Sequence, residues 1–141
     1  MCGIFGFHAR SRLSLVKQLD KATDLLAHRG PDGRGTFVGH SANGDWQVGL
    51  GHRRLSILDI EGSPQPMHSH DGRYVIVYNG EIYNYIELRG ELVERGHRFA
   101  TQGDTEVLIE AWRAWGEDCL SRLNGMFAFL LWDTETGRLF A

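Results

Sequence analysis

The sequence predicts an α+β fold or a layered sandwich, and three features point there. Strand and helix signals come in the order strand, helix, several strands, two helices, strands, which is not the regular βαβ alternation of a parallel sheet. The clearest strand signal, YVIVYNG at 74–80, is a β-branched and aromatic run closed by Asn-Gly. A helix signal, GDTEVLIEAWRAWG at 103–116, repeats its apolar residues at helical spacing.

The elements follow in order. Residues 4–8, IFGFH, are apolar and aromatic and read as a short strand. Over 13–27 the residues Leu15, Val16, Leu19, Ala22 and Leu26 recur at helical spacing. HRGPDGRG at 28–35 stops that helix, because glycine and proline break helices and favour turns. WQVGLGH at 46–52 reads as strand, SPQPMHSHDG at 63–72 as loop, and 74–80 as strand. NYIELRGELVERG at 84–96 reads as a helix whose end is marked by Gly96 in the position of a C′ glycine. In the helix at 103–116, Asp104 or Thr105 can cap the start, and Val107, Leu108, Ala111, Trp112 and Trp115 form the buried face. GMFAFLLWD at 125–133 reads as a buried strand, TETG at 134–137 as a hairpin turn, and RLFA as the start of a returning strand. A domain that stopped there would leave its last strand short, so truncation on the C-terminal side is expected.

The 141 residues suffice for one domain with a real core, and 42% apolar with 23% charged residues is ordinary for a globular chain. A net charge of −3, with no long run of one sign, gives no reason to expect nucleic acid or an anionic membrane as partner. No apolar stretch approaches the roughly 18 residues of a membrane span, and the start lacks the charged n-region of a secretory signal. A cytoplasmic protein is expected. Of the two cysteines, Cys2 lies at the very start, so no disulfide framework is expected; Cys119 reads as a small buried residue. His68 and His70 form H-x-H without a regularly spaced third ligand, and there is no C-x-x-C pair, so no metal site is expected. P-loop and dinucleotide glycine motifs are absent from the sequence.

Four places could carry chemistry, and each has a plainer reading beside it. If Met1 is removed, Cys2 bears both a thiol and the α-amino group. With an ordinary pKa of about 7.7–8.0, roughly a tenth of such amines are neutral at pH 7, enough for a general base. With Met1 retained, that nitrogen is an amide and Cys2 is an ordinary residue near a chain end. Asn79-Gly80 sets a side-chain amide beside an unhindered backbone N–H, a pair able to hold an oxyanion; Asn-Gly is equally a common turn. Alternation turns one of Arg53 and Arg54 inward, where a carboxylate suits its guanidinium; a structural salt bridge would serve as well. Asp104 starts a helix, as an N-cap does, with further lone pairs left for a second partner.

Read jointly, MCGIFGF, HRGPDGRG, GHRRLSILD, NGEIYNYIELR, GDTEVLIEAW and LNGMFAFLLWD resemble the class II glutamine amidotransferases, which are N-terminal-nucleophile glutaminases. The resemblance runs from Cys2 to the end of the chain. Within that superfamily the chain is similar to the glutaminase half of glutamine-hydrolysing asparagine synthetases. RLSILD and NGEIYN separate it from the glucosamine-phosphate synthase and phosphoribosyl-pyrophosphate branches. The resemblance implies a four-layer α/β/β/α sandwich. It makes Cys2 the nucleophile, with its own amine moving the proton, and Asn79 with the Gly80 N–H the oxyanion hole. Arg54, and not Arg53, clasps the glutamine α-carboxylate. Arg54, Leu55, Ser56, Ile57 and Leu58 line the glutamine site with Glu81 and Asp104, these two acids near the α-amino group.

Glutamate and ammonia are the implied products, formed through a thioester. The ammonia passes to a C-terminal synthetase domain in cis, which uses ATP and magnesium to activate aspartate or another carboxylate. Neither the Ser-Gly-Gly loop of that domain nor the later glutaminase strands occur in these 141 residues. No cofactor is expected in the glutaminase domain itself, and a homodimer is a family-level expectation. The alternatives are a catalytically silent fragment or interaction domain, and an amidotransferase for a peptide, an antibiotic precursor or a sugar acid.

Overall fold

Periodicity of two along the strands and of 3.6 along the helices builds four layers. The structure is a computed structural model and describes residues 2–11, 15–55 and 64–141. In chain order it contains β1 (Gly3–Arg10), α1 (Val16–Leu25), β2 (Gly33–His40), β3 (Trp46–Arg54), β4 (Met67–His68), β5 (Tyr74–Ile82), α2 (Tyr85–Glu94), α3 (Asp104–Trp115), β6 (Gly125–Asp133) and β7 (Arg138–Phe140). The strands form two antiparallel sheets, ordered β1-β3-β2 and β4-β5-β6-β7. Facing residues of the two sheets make one core: Ile4, Phe37, Val48 and Leu50 from the first, Val75, Val77, Leu130 and Trp132 from the second. The opposite face of the second sheet supplies Ile76, Tyr78, Ile82, Phe129 and Leu131 to a larger core under α2 and α3, with Leu88, Leu92, Val107, Leu108 and Trp112. Helix α1 covers the outer face of the first sheet through buried Leu19 and Thr23. Each buried aliphatic side chain contributes about 1.5–3 kcal/mol, so the first core holds the sheets face to face and the second holds α2 and α3 on the second sheet. The expected four-layer α/β/β/α sandwich is present.

Several local expectations are corrected. Asn79-Gly80 is not a turn: β5 continues to Ile82, with Asn79 paired to Ala128 and Gly80 to Phe127. A Cβ at Gly80 would lie 2.5 Å from the Met126 carbonyl oxygen, so the glycine lets β6 approach. β3 likewise runs on to Arg54. β2 begins inside the Gly/Pro-rich stretch read as a turn, because pairing along the whole of β3 outweighs its weak intrinsic strand preference. β4 occupies two residues of the expected loop, and a 3-10 turn spans Gly116–Arg122. β6 is not buried throughout, since Met126 is 71% exposed.

Gly96 ends α2 with φ of 90°, as a C′ glycine should. In α3 the N-cap is Gly103, with no side-chain cap, so neither Asp104 nor Thr105 plays that part. Instead Glu106 reaches back to accept the N–H groups of Ala100 at 2.8 Å and Thr101 at 2.7 Å. Val107, Leu108, Ala111 and Trp112 are buried as expected, joined by Ile109 and Glu110, whereas Trp115 is half-buried. Cys119 is fully buried, and its thiol is pushed up to about 11, chiefly by burial. Neither cysteine is in a disulfide.

Candidate active site

Strand parity gathers the singled-out residues at one end of the gap between the sheets. Gly3 pairs with Arg53, so continuing the ladder by one residue sets Cys2 opposite Arg54. The Cys2 sulfur accepts the Leu55 N–H at 3.3 Å, and its thiol points at the Leu55 carbonyl at 3.6 Å. In β3 the even positions Val48 and Leu50 face the second sheet, and the same alternation turns His52 and Arg54 that way. Arg53 faces α1, where Nη2 meets Asp24 Oδ1 at 2.7 Å and Nε donates to the Thr23 carbonyl at 3.3 Å. Of the adjacent arginines, then, Arg54 belongs to the gap. With Asp32, His52 and Gln65 it lines a recess of about 460 Å³. In β5, Val75 and Val77 face the first sheet, and alternation carries Asn79 and Glu81 to the same face. Ser56, Ile57 and Leu58 lie outside the described residues.

The N-terminal side of this end is shaped by the HRGPDGRG stretch. A Cβ at Gly30 would collide with the Arg53 carbonyl group and come within 2.6 Å of the Arg54 nitrogen. Two residues on, the Asp32 N–H donates to the Arg54 carbonyl at 2.9 Å. A glycine is needed for the segment to lie flat on the end of β3.

On β5 the site sits where a neighbouring strand stops. β4 pairs only as far as Met67 with Ile76. The Ser69 N–H donates to the Tyr74 carbonyl, so the peptide groups of even-numbered β5 residues point toward the β4 side. Beyond Ile76, side chains replace the missing strand. Gln65 Oε1 accepts the Tyr78 N–H at 2.6 Å, His52 Nε2 lies 3.1 Å from the Tyr78 carbonyl oxygen, and Asp104 Oδ2 accepts the Ile82 N–H at 3.0 Å. The Gly80 N–H, between them, aims at the same open edge.

The charges are arranged for a bound cation. Asp104 is 7% exposed, and its Oδ2 takes both the Tyr78 hydroxyl at 2.7 Å and the Ile82 N–H. Glu81 has its pKa raised by burial and, secondarily, by the negative Asp104. Two neighbouring carboxylates that repel each other offer a natural seat for an ammonium group. Burial, then Asp104, Glu81 and Cys2, push the Tyr78 phenol up, so Cys2 lies within electrostatic reach of it. His52, 1% exposed, has its pKa lowered to about 4, first by burial and further by Arg54, against the opposing pull of the Tyr78 carbonyl. It is therefore neutral, and its Nε2–H donates to that carbonyl.

His52, Gln65 and Tyr78 were not singled out from the sequence. Alternation along GHRR could have pointed to His52, two residues from Arg54; Gln65 and Tyr78 carry no local signal. Among the described residues no group of three His, Cys, Asp or Glu side chains could hold a metal ion, and no helix is long and apolar enough to cross a membrane.

The family model for a glutamine amidotransferase domain matches residues 1–141. The chain is 46% identical over 145 aligned residues to asparagine synthetase [glutamine-hydrolyzing] 3 of Bacillus subtilis, an alignment covering 100% of this chain and 23% of that protein. It is 38% identical over 137 residues to asparagine synthetase B [glutamine-hydrolyzing] of Escherichia coli, covering 96% and 24%. The chain thus spans about a quarter of the length of these relatives. Among solved structures, glutamine phosphoribosylpyrophosphate amidotransferase from B. subtilis superposes with a TM-score of 0.66 at 22% identity, over 94% of this chain and 35% of that one. That likeness concerns the fold, the four-layer α/β/β/α sandwich. The family model matches over the whole chain, and the chain therefore belongs to the glutamine amidotransferase domain family.

Proposed function

We propose that this domain hydrolyses the side-chain amide of glutamine to glutamate and ammonia, as the glutaminase half of an asparagine synthetase-like amidotransferase. One observation carries the reading: a thiol, an inward arginine, two carboxylates and an unpaired strand edge meet at one end of the inter-sheet gap. Arg54 complements an α-carboxylate, Glu81 and Asp104 an α-ammonium, and the side-chain amide is left facing Cys2.

Removal of Met1 makes the Cys2 nitrogen an amine of about pKa 8. It takes the proton from Sγ, and the thiolate attacks the amide carbon. The oxyanion that forms is held by the Asn79 side-chain N–H and the Gly80 backbone N–H. The amine then returns its proton to the leaving nitrogen, ammonia departs, and a thioester remains. Water, deprotonated by the same amine, attacks the thioester; glutamate leaves and sulfur recovers the proton. The greater length of the relatives supports a synthetase domain in cis that consumes the ammonia. ATP and magnesium belong to that domain and to the activation of aspartate or another carboxylate; glutamine hydrolysis needs neither. A reducing compartment, the cytoplasm, keeps Cys2 as a thiol.

The test is glutamate release from glutamine, with intact mass to establish whether Met1 is gone. Release that disappears in Cys2→Ala and in a form retaining Met1 is expected. Undiminished release by Cys2→Ala would overturn the proposal.

A further inference from the structure

We propose that His52 and Gln65 form a two-sided clamp on the Tyr78 peptide that sets the position of the oxyanion hole, which makes them positioning residues. The inference rests on the glutaminase reading above. Deeper in the gap, Val48 and Leu50 of the first sheet meet Val75, Val77 and Trp132 of the second in apolar packing, which is non-directional and tolerates sliding. At this end, His52 adds a directional link: its Nε2–H runs from the sheet of the nucleophile to the Tyr78 carbonyl of the opposing sheet at 3.1 Å. The Tyr78 N–H is taken at 2.6 Å by Gln65 Oε1, whose own Nε2 donates to the Thr105 hydroxyl at 3.3 Å. Tyr78 is thus gripped at both of its peptide groups, where β4 no longer does so.

The spacing ties this grip to the chemistry. His52 pairs with Ile4, two residues from Cys2. Tyr78 directly precedes Asn79 and lies two residues from the Gly80 N–H. A change in the separation of β3 and β5 at His52 therefore becomes a change in the distance from the sulfur to both oxyanion donors. Misplacement of about 1 Å in such a site can lower the rate about 10²-fold. The bonds of the clamp go to the Tyr78 peptide and the Thr105 hydroxyl rather than to the groups assigned to the α-carboxylate or α-ammonium, so substrate binding and turnover should separate.

The experiment uses the full-length gene product and three variants: His52→Leu, which keeps the volume and loses the donor; His52→Gln, which keeps an N–H donor; and Gln65→Leu. The readouts are kcat and KM for glutamate release, with covalent labelling of Cys2 by an electrophilic glutamine analogue. His52→Leu and Gln65→Leu are expected to lose about tenfold or more in kcat, short of the roughly 10²–10³ for outright deletion of an oxyanion donor, with KM little changed. His52→Gln should recover part of the loss. The clamp is refuted if both leucine variants keep wild-type kcat, or if KM rises while kcat holds. If His52→Leu does not fold, Gln65→Leu decides alone by the same criteria. Failure of the wild-type protein to label or turn over would instead strike the glutaminase reading.

Discussion

Replacing Asp104 separates what this carboxylate does for the fold from what it does for the substrate. Its Oδ2 accepts two bonds, from the Tyr78 hydroxyl at 2.7 Å and the Ile82 N–H at 3.0 Å. Asp104→Ala leaves both donors without an acceptor in a buried place. At about 1–3 kcal/mol for each orphaned group, the domain should lose about 2–6 kcal/mol of stability. In Asp104→Asn the amide oxygen can stand where Oδ2 stood and keep both bonds, so the loss should be about 1 kcal/mol or less. The amide NH2 then occupies the Oδ1 position, turning a donor toward the seat of the ammonium. Breaking a buried charge pair costs about 2–5 kcal/mol. Since Glu81 remains to meet the cation, the lower end applies, an increase in KM of about thirtyfold or more at 1.4 kcal/mol per tenfold. Glutamate release against glutamine concentration, beside a denaturant melt of both variants, reads the two effects apart. An Asp104→Asn protein with wild-type KM would mean that the ammonium sits elsewhere. An Asp104→Ala protein as stable as wild type would mean that the two bonds are not made.

Arg54→Ala should raise the glutamine KM by the equivalent of about 2–5 kcal/mol, whereas Arg53→Ala, whose partner Asp24 faces solvent on the α1 side, should leave the kinetics alone; the reverse pattern would show that the wrong arginine faces the gap. His52 resists protonation in the folded state, with its pKa lowered to about 4 from an ordinary 6.5, so the unfolded chain takes up that proton first. Stability should therefore fall as pH drops through that window and level off below it, by roughly 3 kcal/mol in total at about 1.4 kcal/mol per unit. In His52→Gln that part of the slope should vanish, and denaturant midpoints measured across the window test it. Gly80→Ala drives a Cβ to 2.5 Å from the Met126 oxygen and the Phe127 Cβ. Overpacking of this kind costs about 1–3 kcal/mol, and turnover should fall with it; unchanged melting and turnover would deny the close approach of β6.

How far the sequence was legible depends on the range of the forces involved. Alternation reaches only from one residue to the next, and it sufficed to say that one of Arg53 and Arg54 turns inward. The resemblance carried by MCGIFGF, GHRRLSILD, NGEIYN and GDTEV supplied the choice of Arg54 and the candidates Cys2, Asn79, Gly80, Glu81 and Asp104. Local statistics misled at Asn79-Gly80, because a turn preference is a property of four residues and β6 imposes nine paired positions on that stretch. The same holds for the start of α3, where an N-cap was expected. Asp104 instead satisfies the Ile82 N–H, 22 residues away, which no window of a helical turn contains. β2 was missed because three glycines in eight residues hide a strand held by its neighbour. Gln65 and Tyr78 had no signal, since their roles follow from where β4 ends.

The chemistry of this domain is at bottom a consequence of strand register. Side chains along β5 alternate between two environments: Ile76, Tyr78 and Ile82 against the helices, Val75 and Val77 against the other sheet, with Asn79 and Glu81 following the latter. A slip of one residue against β6 would exchange the faces. Asn79 and Glu81 would then be driven into the apolar core under α3, and Tyr78 would be pulled away from Asp104. Such a slip costs little in hydrogen bonds, because the ladder re-forms, but much in burial of polar groups without partners. The polar residues therefore help to fix the register that turns them toward the first sheet. Substitution of Asn79 and Glu81 by apolar residues should accordingly do more than remove functional groups: it should weaken the discrimination between registers, seen as slower or heterogeneous folding in addition to lost turnover.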